Sequence, residues 1–362
     1  MMNWTRALLL GCAATLSTAA FAQTNFMISA SLPQVHFWVG KHMDPFADAI
    51  EAETNGEITF TRFYAGELTA VGRELDALQG GTIQVAAPLL APYHEGAFPL
   101  SDVTQLPTIG TNSELMTRAF LKLMENETEL KDGKTFYEYE IVDKEIRAWP
   151  VATTAAYAIS FTMETPDSPA DLAGKPIRAG SALHTIFLNE LGVTPVTMPS
   201  SASYEALSRG TVVGTILSIG DWRSYSLQDV LTHTITGVAV GHWGSYLGIS
   251  NSAWEQLTPE QQEIWERVAV ETAMSNAAAI DAQDTEVQEA AAEAGSKFTP
   301  ITEMSEEMQG HIAQASTDTW KSWVEQTEAA GHPGRATAAL WAQLVQEEGG
   351  QLPEGVAEFL GL

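Results

Sequence analysis

Basic side chains are scarce in this sequence: 18 Lys and Arg stand against 46 Asp and Glu in 362 residues, a formal net charge of −28. Nucleic acid is a poor partner for such a chain, because its binding rests on cations that neutralise phosphates. An anionic membrane surface is disfavoured for the same reason, and solubility is sufficient cause for the excess of acid. Cysteine is almost missing too; the one thiol, Cys12, lies within the first 22 residues. Beyond those residues no stretch approaches the roughly 20 apolar residues a membrane span needs. HExxH, GxSxG, a phosphate loop and GxGxxG are all absent. The eight His residues are scattered without an i,i+4 pair, and the six-residue spacing of His36 and His42 makes a weak metal motif. Carboxylates are abundant, yet nothing singles out a pair for acid–base work. The chain is therefore expected to be neither an enzyme nor a carrier of a cofactor or metal.

What is present begins with "MMNWTRALLLGCAATLSTAAFAQ". A cation (Arg6), an apolar run from Ala7 and the small-x-small set Ala20-Phe21-Ala22 have the layout of a cleaved secretory signal, residues 1–22. "LLGC" resembles a lipoprotein box, but about five apolar residues before Cys12 is short for that role. Cleavage before Gln23 leaves 340 residues without cysteine and takes the charge to −29, since Arg6 leaves and no acid does. Disulfides, thiol catalysis and Cys–metal sites are then excluded, and stability must come from the core.

Helix and strand signals alternate along the mature chain. "FMISASL" (26–32) reads as a strand, Asp44-Pro45 as an N-cap with Pro at the first helical position, and "EITFTRF" (57–63) as a second strand. A helix over about 71–79 ends at Gly80-Gly81 and leads into "TIQVAAPLL". This β-α-β-α-β order predicts a mostly parallel sheet flanked by helices. An internal echo, "LDALQGGTIQVA" (75–86) and "YEALSRGTVVGT" (204–215), repeats a helix that ends at a left-handed Gly before a buried strand. Two copies about 129 residues apart fit two α/β domains of similar build, with 150–180 as the first crossing between them. Thr258-Pro259-Glu260-Gln261 opens a long helix with a capping box, running to about Glu293. Two further helices follow over 305–331 and about 335–347, where Trp320, Trp323 and Trp341, like Trp254 and Trp265 before them, read as core residues.

Six segments in order carry a resemblance: "FADAIEAETNGEITFTRFYAGEL" (46–68), "ELDALQGGTIQVA" (74–86), "QLPTIG" (105–110), "SPADLAGKPIRAG" (168–180), "LGVTPVTMPSSASYEALSRGTV" (191–212) and "ISNSAWEQLTPEQQEIW" (249–265). Together they span nearly the whole mature chain, which resembles the solute-binding proteins of tripartite ATP-independent periplasmic (TRAP) transporters. The resemblance implies an α/β, two-domain periplasmic binding protein fold with a cleft between the domains and a long helix spanning both. The expected division is 23–150 with about 237–270 in domain I, 151–236 with about 271–310 in domain II, and 311–362 as helices packing on both. It also implies a periplasmic monomer that hands an organic acid to a two-subunit membrane permease driven by an ion gradient. A sensor or binding module without a permease is the alternative.

The arginine of the family's "GxxxR" segment corresponds to Arg178, which usually pairs with the ligand carboxylate. A planar guanidinium suits that task, donating two parallel hydrogen bonds that fix orientation as well as charge. Lys175, three residues earlier, reads as solvated. No second cation stands near Tyr157, so a single carboxylate clamp is expected. His36, Trp38 and Tyr93 follow strand ends, where ligands of open α/β sheets bind, and Trp243 lies in a second crossing segment with Gly241 and Gly244. Val213 departs from the family's usual Asp, leaving Thr215, Ser218, Asp221 and Trp222 as contacts behind it. Asp221 is expected to pair with Arg223 rather than with ligand. An aromatic-rich cleft would favour a carboxylate with an apolar or aromatic body.

Overall fold

The computed structural model describes residues 23–362 apart from Glu95 and Ala239; the leader and Cys12 lie outside the described residues. Its strands are β1 (Thr24–Ser29), β2 (Ile58–Phe63), β3 (Val85–Leu89), β4 (Ile146–Pro150), β5 (Ala158–Phe161), β6 (Pro176–Ala179), β7 (Thr194–Thr197), β8 (Gly214–Leu217), β9 (His233–Thr236), β10 (Tyr246–Ser250) and β11 (Lys297–Pro300). They form two sheets, ordered β2-β1-β3-β10-β4 and β11-β9-β5-β8-β6-β7. Each sheet is parallel except for one strand: β10 runs against β3 and β4, and β5 runs against β8 and β9.

Chain path explains the two exceptions. β4 runs toward the cleft, the chain crosses, and β5 must then run away from it in the other sheet. The return crossing after β9 delivers β10 in the same way. The two crossing segments lie antiparallel and bond to each other, Val151 N–H to Ser245 O (3.0 Å), Thr154 N–H to Trp243 O (3.1 Å) and Tyr157 N–H to Gly241 O (3.1 Å). The hinge is thus a two-stranded ribbon. Gly241 holds it against domain I: its φ is +72° and a Cβ there would lie 2.1 Å from the Gln105 carbonyl oxygen. No side chain fits such an approach.

The sequence echo is a structural one. In the first copy the N–H groups of Thr82 and Ile83 both bond to Ala77 O; in the second, those of Thr211 and Val212 both bond to Ala206 O. The strands that follow, β3 and β8, each pair with a parallel neighbour on one side and with the crossing strand on the other.

The long helix spans Pro259–Glu293, and Thr258 and Gln261 close a capping box at its start. At 1.5 Å per residue it is about 50 Å long. Trp265, Ala269, Ala273, Ala277, Ile280, Gln283, Val287 and Ala291 form its buried stripe, spaced three or four residues apart as an amphipathic helix requires. The helices Glu306–Ala329 and Gly334–Glu347 follow, with Trp320, Trp323 and Trp341 buried. Trp320 donates its indole N–H to Pro107 O (2.8 Å).

One helix start differs from its sequence reading. Asp44 is no N-cap: a π-helical turn, Val39–Met43, precedes it and runs into the helix Asp44–Glu53. The Asp44 carboxylate instead accepts from Gln34 Nε2 and the Tyr64 hydroxyl, both at 2.9 Å. Tertiary partners claim the side chain that local pattern assigned to capping. Among the described residues, no helix is long and apolar enough to cross a membrane.

Candidate ligand site

β6 carries Arg178 into the interior, where it is 1% exposed. Three of its N–H groups are held by the second domain: Nε donates to Met198 O (3.0 Å), Nη1 to Ile216 O (3.2 Å) and Nη2 to Ser200 Oγ (3.1 Å). Among the described residues no carboxylate oxygen lies within 4.0 Å of it; the ion pairs of the chain use other cations. A buried charge is costly unless paired or well bonded, so this guanidinium is fixed by three neutral acceptors and its charge stays available. Lys175, by contrast, is exposed.

In front of it opens a cavity of about 70 Å³ between the domains, walled from one side by Leu32, His36, Trp38, Val71, Leu90 and Tyr93 and from the other by Pro199, Ser200, Ser201, Asp221 and Tyr225. Tyr157 and Trp243, from the two crossing segments, form its floor. Of the residues named from sequence, His36, Trp38, Tyr93, Tyr157 and Trp243 line this cavity. Arg178 stands behind Ser200, which accepts from its Nη2, and near enough to Tyr93 for its charge to act on the phenol.

The aromatic walls face the cavity with carbon. Trp38 spends its indole N–H on Ala152 O (2.7 Å) and Trp243 on Ser245 Oγ (3.1 Å). Tyr93 packs on Trp243 with ring centroids 5.3 Å apart, and Tyr157 on His184 at 5.0 Å. His184 is fully buried; burial, with the nearby Arg178 charge adding to it, takes its pKa down to about 3. It is neutral at physiological pH, so among the described residues Arg178 is the fixed cation at this end of the cleft.

Besides Arg178, three sequence candidates do not line the cavity. Trp222 is fully buried and stacks on Phe298 (6.0 Å, 24° between planes). It follows Asp221 at the start of a helix, and neighbours there point about 100° apart; with Asp221 turned to the cleft, Trp222 faces the core. Thr215 is buried within β8, bonding back to Ile216 O (3.4 Å). Ser218 acts one step removed, donating to Asp221 Oδ2 (3.1 Å).

The expected Asp221–Arg223 pair does not form. Arg223 reaches Glu286 (2.8 Å) on the long helix, while Asp221 turns inward, 3.2 Å from His36 Nε2. Residues two apart on a helix do not share a face, which separates them. Tyr225, Ser200 and Ser201 were missed altogether. "SSASY" reads as a helix start, and nothing local says that the turn before it closes over an arginine twenty residues back.

The long helix ties both cleft walls together. Asn276 Nδ2 donates to Phe37 O (3.1 Å), Gln283 Nε2 to Gly220 O (3.0 Å), and Asp284 accepts from Gly220 N–H (2.7 Å). A second inter-domain contact follows directly on Arg178: Ser181 Oγ donates to Gln105 Oε1 (2.5 Å), and Gln105 Nε2 in turn donates to Asp102 Oδ1 (3.0 Å).

The arrangement sets a buried cation and aromatic side chains around one cavity between two α/β units. The model for the bacterial extracellular solute-binding protein family 7 matches residues 29–327. A solute-binding protein of Albidiferax ferrireducens is 22% identical over 316 residues, covering 85% of this chain and 90% of that protein. A monocarboxylate 2-oxoacid-binding periplasmic protein of Nostoc sp. is 25% identical over 310 residues, with 80% of each covered. Among solved structures, a TRAP solute-binding protein from Rhodoferax ferrireducens, in complex with copurified benzoate, shares the fold with a TM-score of 0.77 at 20% identity, covering 90% of this chain and 98% of that one. With two α/β domains closed on a cleft and the family pattern running through nearly all of both, the chain belongs to family 7 of the bacterial extracellular solute-binding proteins, the solute-binding proteins of TRAP transporters.

Proposed function

We propose that this protein is the periplasmic, extracytoplasmic subunit of a TRAP transporter, exported by its cleaved leader, that captures an organic acid and delivers it to a two-subunit permease for ion-gradient-driven uptake. The carboxylate pairs with Arg178, and the rest of the ligand lies against Trp38, Tyr93, Tyr157, Tyr225 and Trp243. The observation that carries this reading is a buried arginine with no acidic partner of its own among the described residues, set behind the wall of an aromatic-lined cleft. Related proteins named for a 2-oxoacid and found with benzoate support a carboxylate as the shared ligand feature.

Magnitudes require both halves of the site. A charged hydrogen bond contributes about 1.5–3 kcal/mol, and micromolar affinity needs about 8 kcal/mol. Arg178 alone falls short, and burial of an apolar body at about 25 cal/mol per Å² supplies the remainder. The net negative charge opposes an incoming anion only weakly, since charges farther than about 8 Å from it are largely screened at physiological salt.

Thermal-shift screening of the wild type against an organic-acid library tests the reading. A true ligand at 100 times its Kd adds about 2.7 kcal/mol of stability, and Arg178→Ala should abolish the shift. Absence of any shift across the library, or binding undiminished by Arg178→Ala, would refute it.

A further inference from the structure

The cleft holds a second charge that carboxylate capture leaves unused. Asp221 is 3% exposed and forms part of the cavity wall. Ser218 occupies its Oδ2 at 3.1 Å. Its Oδ1 is buried and has no hydrogen-bond partner, although His36 Nε2 stands 3.2 Å away. The Trp38 N–H donates to His36 Nδ1 (3.2 Å), which places the proton of the neutral ring on Nε2, toward Asp221. The Nε2–H and Oδ1 are nevertheless out of line and form no hydrogen bond, so Oδ1 keeps its capacity to accept from a donor in the cavity.

Arg178 and Asp221 act on one and the same space. Burial raises the phenol pKa of Tyr93, Tyr157 and Tyr225, and on each of the three Asp221 adds to the rise while Arg178 opposes it. All three rings border the cavity. The Asp221 carboxylate thus lies in one wall of an aromatic-lined space and Arg178 just behind another, at Ser200.

Resting on the proposed capture of a carboxylate at Arg178, we infer that the ligand is a carboxylic acid that also carries an N–H or O–H donor, and that Asp221 Oδ1 accepts from it. A plain carboxylate would leave a buried carboxylate oxygen unpaired when the cleft closes, a penalty that discriminates strongly between close analogues. A hydroxy, amino or ring-amide acid removes that penalty. Asp221 is thus the specificity determinant of the site, and Arg178 its anchor.

Matched acids test this by titration calorimetry on the full mature chain. One set is propanoate, lactate and alanine; a second is phenylacetate, mandelate and phenylglycine; a third is cyclopentanecarboxylate, proline and pyroglutamate, chiral members in both hands. In the set that binds best, a donor-bearing member should bind at least about tenfold more tightly than the donor-free one. Asp221→Ala should shrink that gap below about threefold, with circular dichroism confirming the fold. Asp221→Asn, which keeps the volume and an oxygen for Ser218 but presents an amide donor, should shrink it as well even if the alanine variant misfolds. Equal binding of donor-free and donor-bearing acids by the wild type, or a gap that persists in a folded Asp221 variant, overturns the inference and leaves carboxylate capture standing. Binding of no acid in any set removes capture itself, and the inference with it.

Discussion

Gly180 lies beneath the guanidinium of Arg178, so close that a Cβ at 180 would stand 2.9 Å from Nη2 and 3.2 Å from Cζ. The backbone two residues on is part of the socket that sets the plane of the side chain. Gly180→Ala must push the guanidinium off Ser200 and out of register with a bound carboxylate. We expect a loss of affinity of about tenfold or more, near 1.4 kcal/mol, with an unchanged far-ultraviolet spectrum. Wild-type affinity in the alanine variant would show that the guanidinium can shift without cost.

Arg178→Lys keeps the charge and loses the fork. Met198 O, Ile216 O and Ser200 Oγ share three N–H donors from a planar group, a pattern that one ammonium cannot reproduce. The variant should bind the best acid at least about thirtyfold more weakly. It should also unfold earlier in denaturant by about 1–3 kcal/mol, as expected where buried carbonyls are left unpaired. Equal affinity in the lysine variant would mean that charge alone is recognised.

The hinge tolerates no side chain at Gly241. Its left-handed φ and the 2.1 Å approach to Gln105 O predict that Gly241→Ala loses more than about 2 kcal/mol. Thermal denaturation and soluble yield measure this. A variant with the wild-type melting temperature would contradict the tight ribbon described above.

Gln105→Ala removes the bond from Ser181 and with it a contact that joins the domains three residues beyond Arg178. The closed form should be less populated, seen as a larger radius of gyration by X-ray scattering in subsaturating ligand and as faster ligand release. An unchanged radius and release rate would assign the contact no role in closure.

Asp102 makes that contact pH-sensitive. Burial, opposed by hydrogen bonds from Gln105 and the Leu183 backbone, takes its pKa from 3.8 up to about 7. The folded state then holds a proton that the unfolded chain releases above about pH 4, so this residue's contribution is full below that point and is lost as pH rises toward 7. Relative to Asp102→Asn, the wild type should lose stability between pH 5 and pH 8 in urea unfolding. A difference that stays constant over this range would show that Asp102 titrates normally.

Much of this was legible from residues alone. The capping box at Thr258, the core tryptophans and the echo 75–86/204–215 rest on local rules, and the structure reproduces each. Arg178 stood out because cations are rare and because the segment around it resembles a family. Asp221 and Tyr225 were misjudged or missed because which face of a short helix turns inward depends on packing against another element. Here that element is the long helix, which draws Arg223 to Glu286 and holds Gly220 from both sides.

The sequence by itself determined that the protein has two similar α/β units, that it lacks the HExxH-type spacing of metal sites, and that a scarce arginine lies in one short strand. These follow from periodicity, composition and turn chemistry, all of which act over a few residues. Tertiary structure decided the rest. It turned β5 and β10 against their sheets, because a chain that crosses a cleft must enter the far sheet from the cleft side. It also set Asp221 in the same cavity as Arg178, 43 positions away in sequence, because only the closed packing of two domains on one helix brings those walls together.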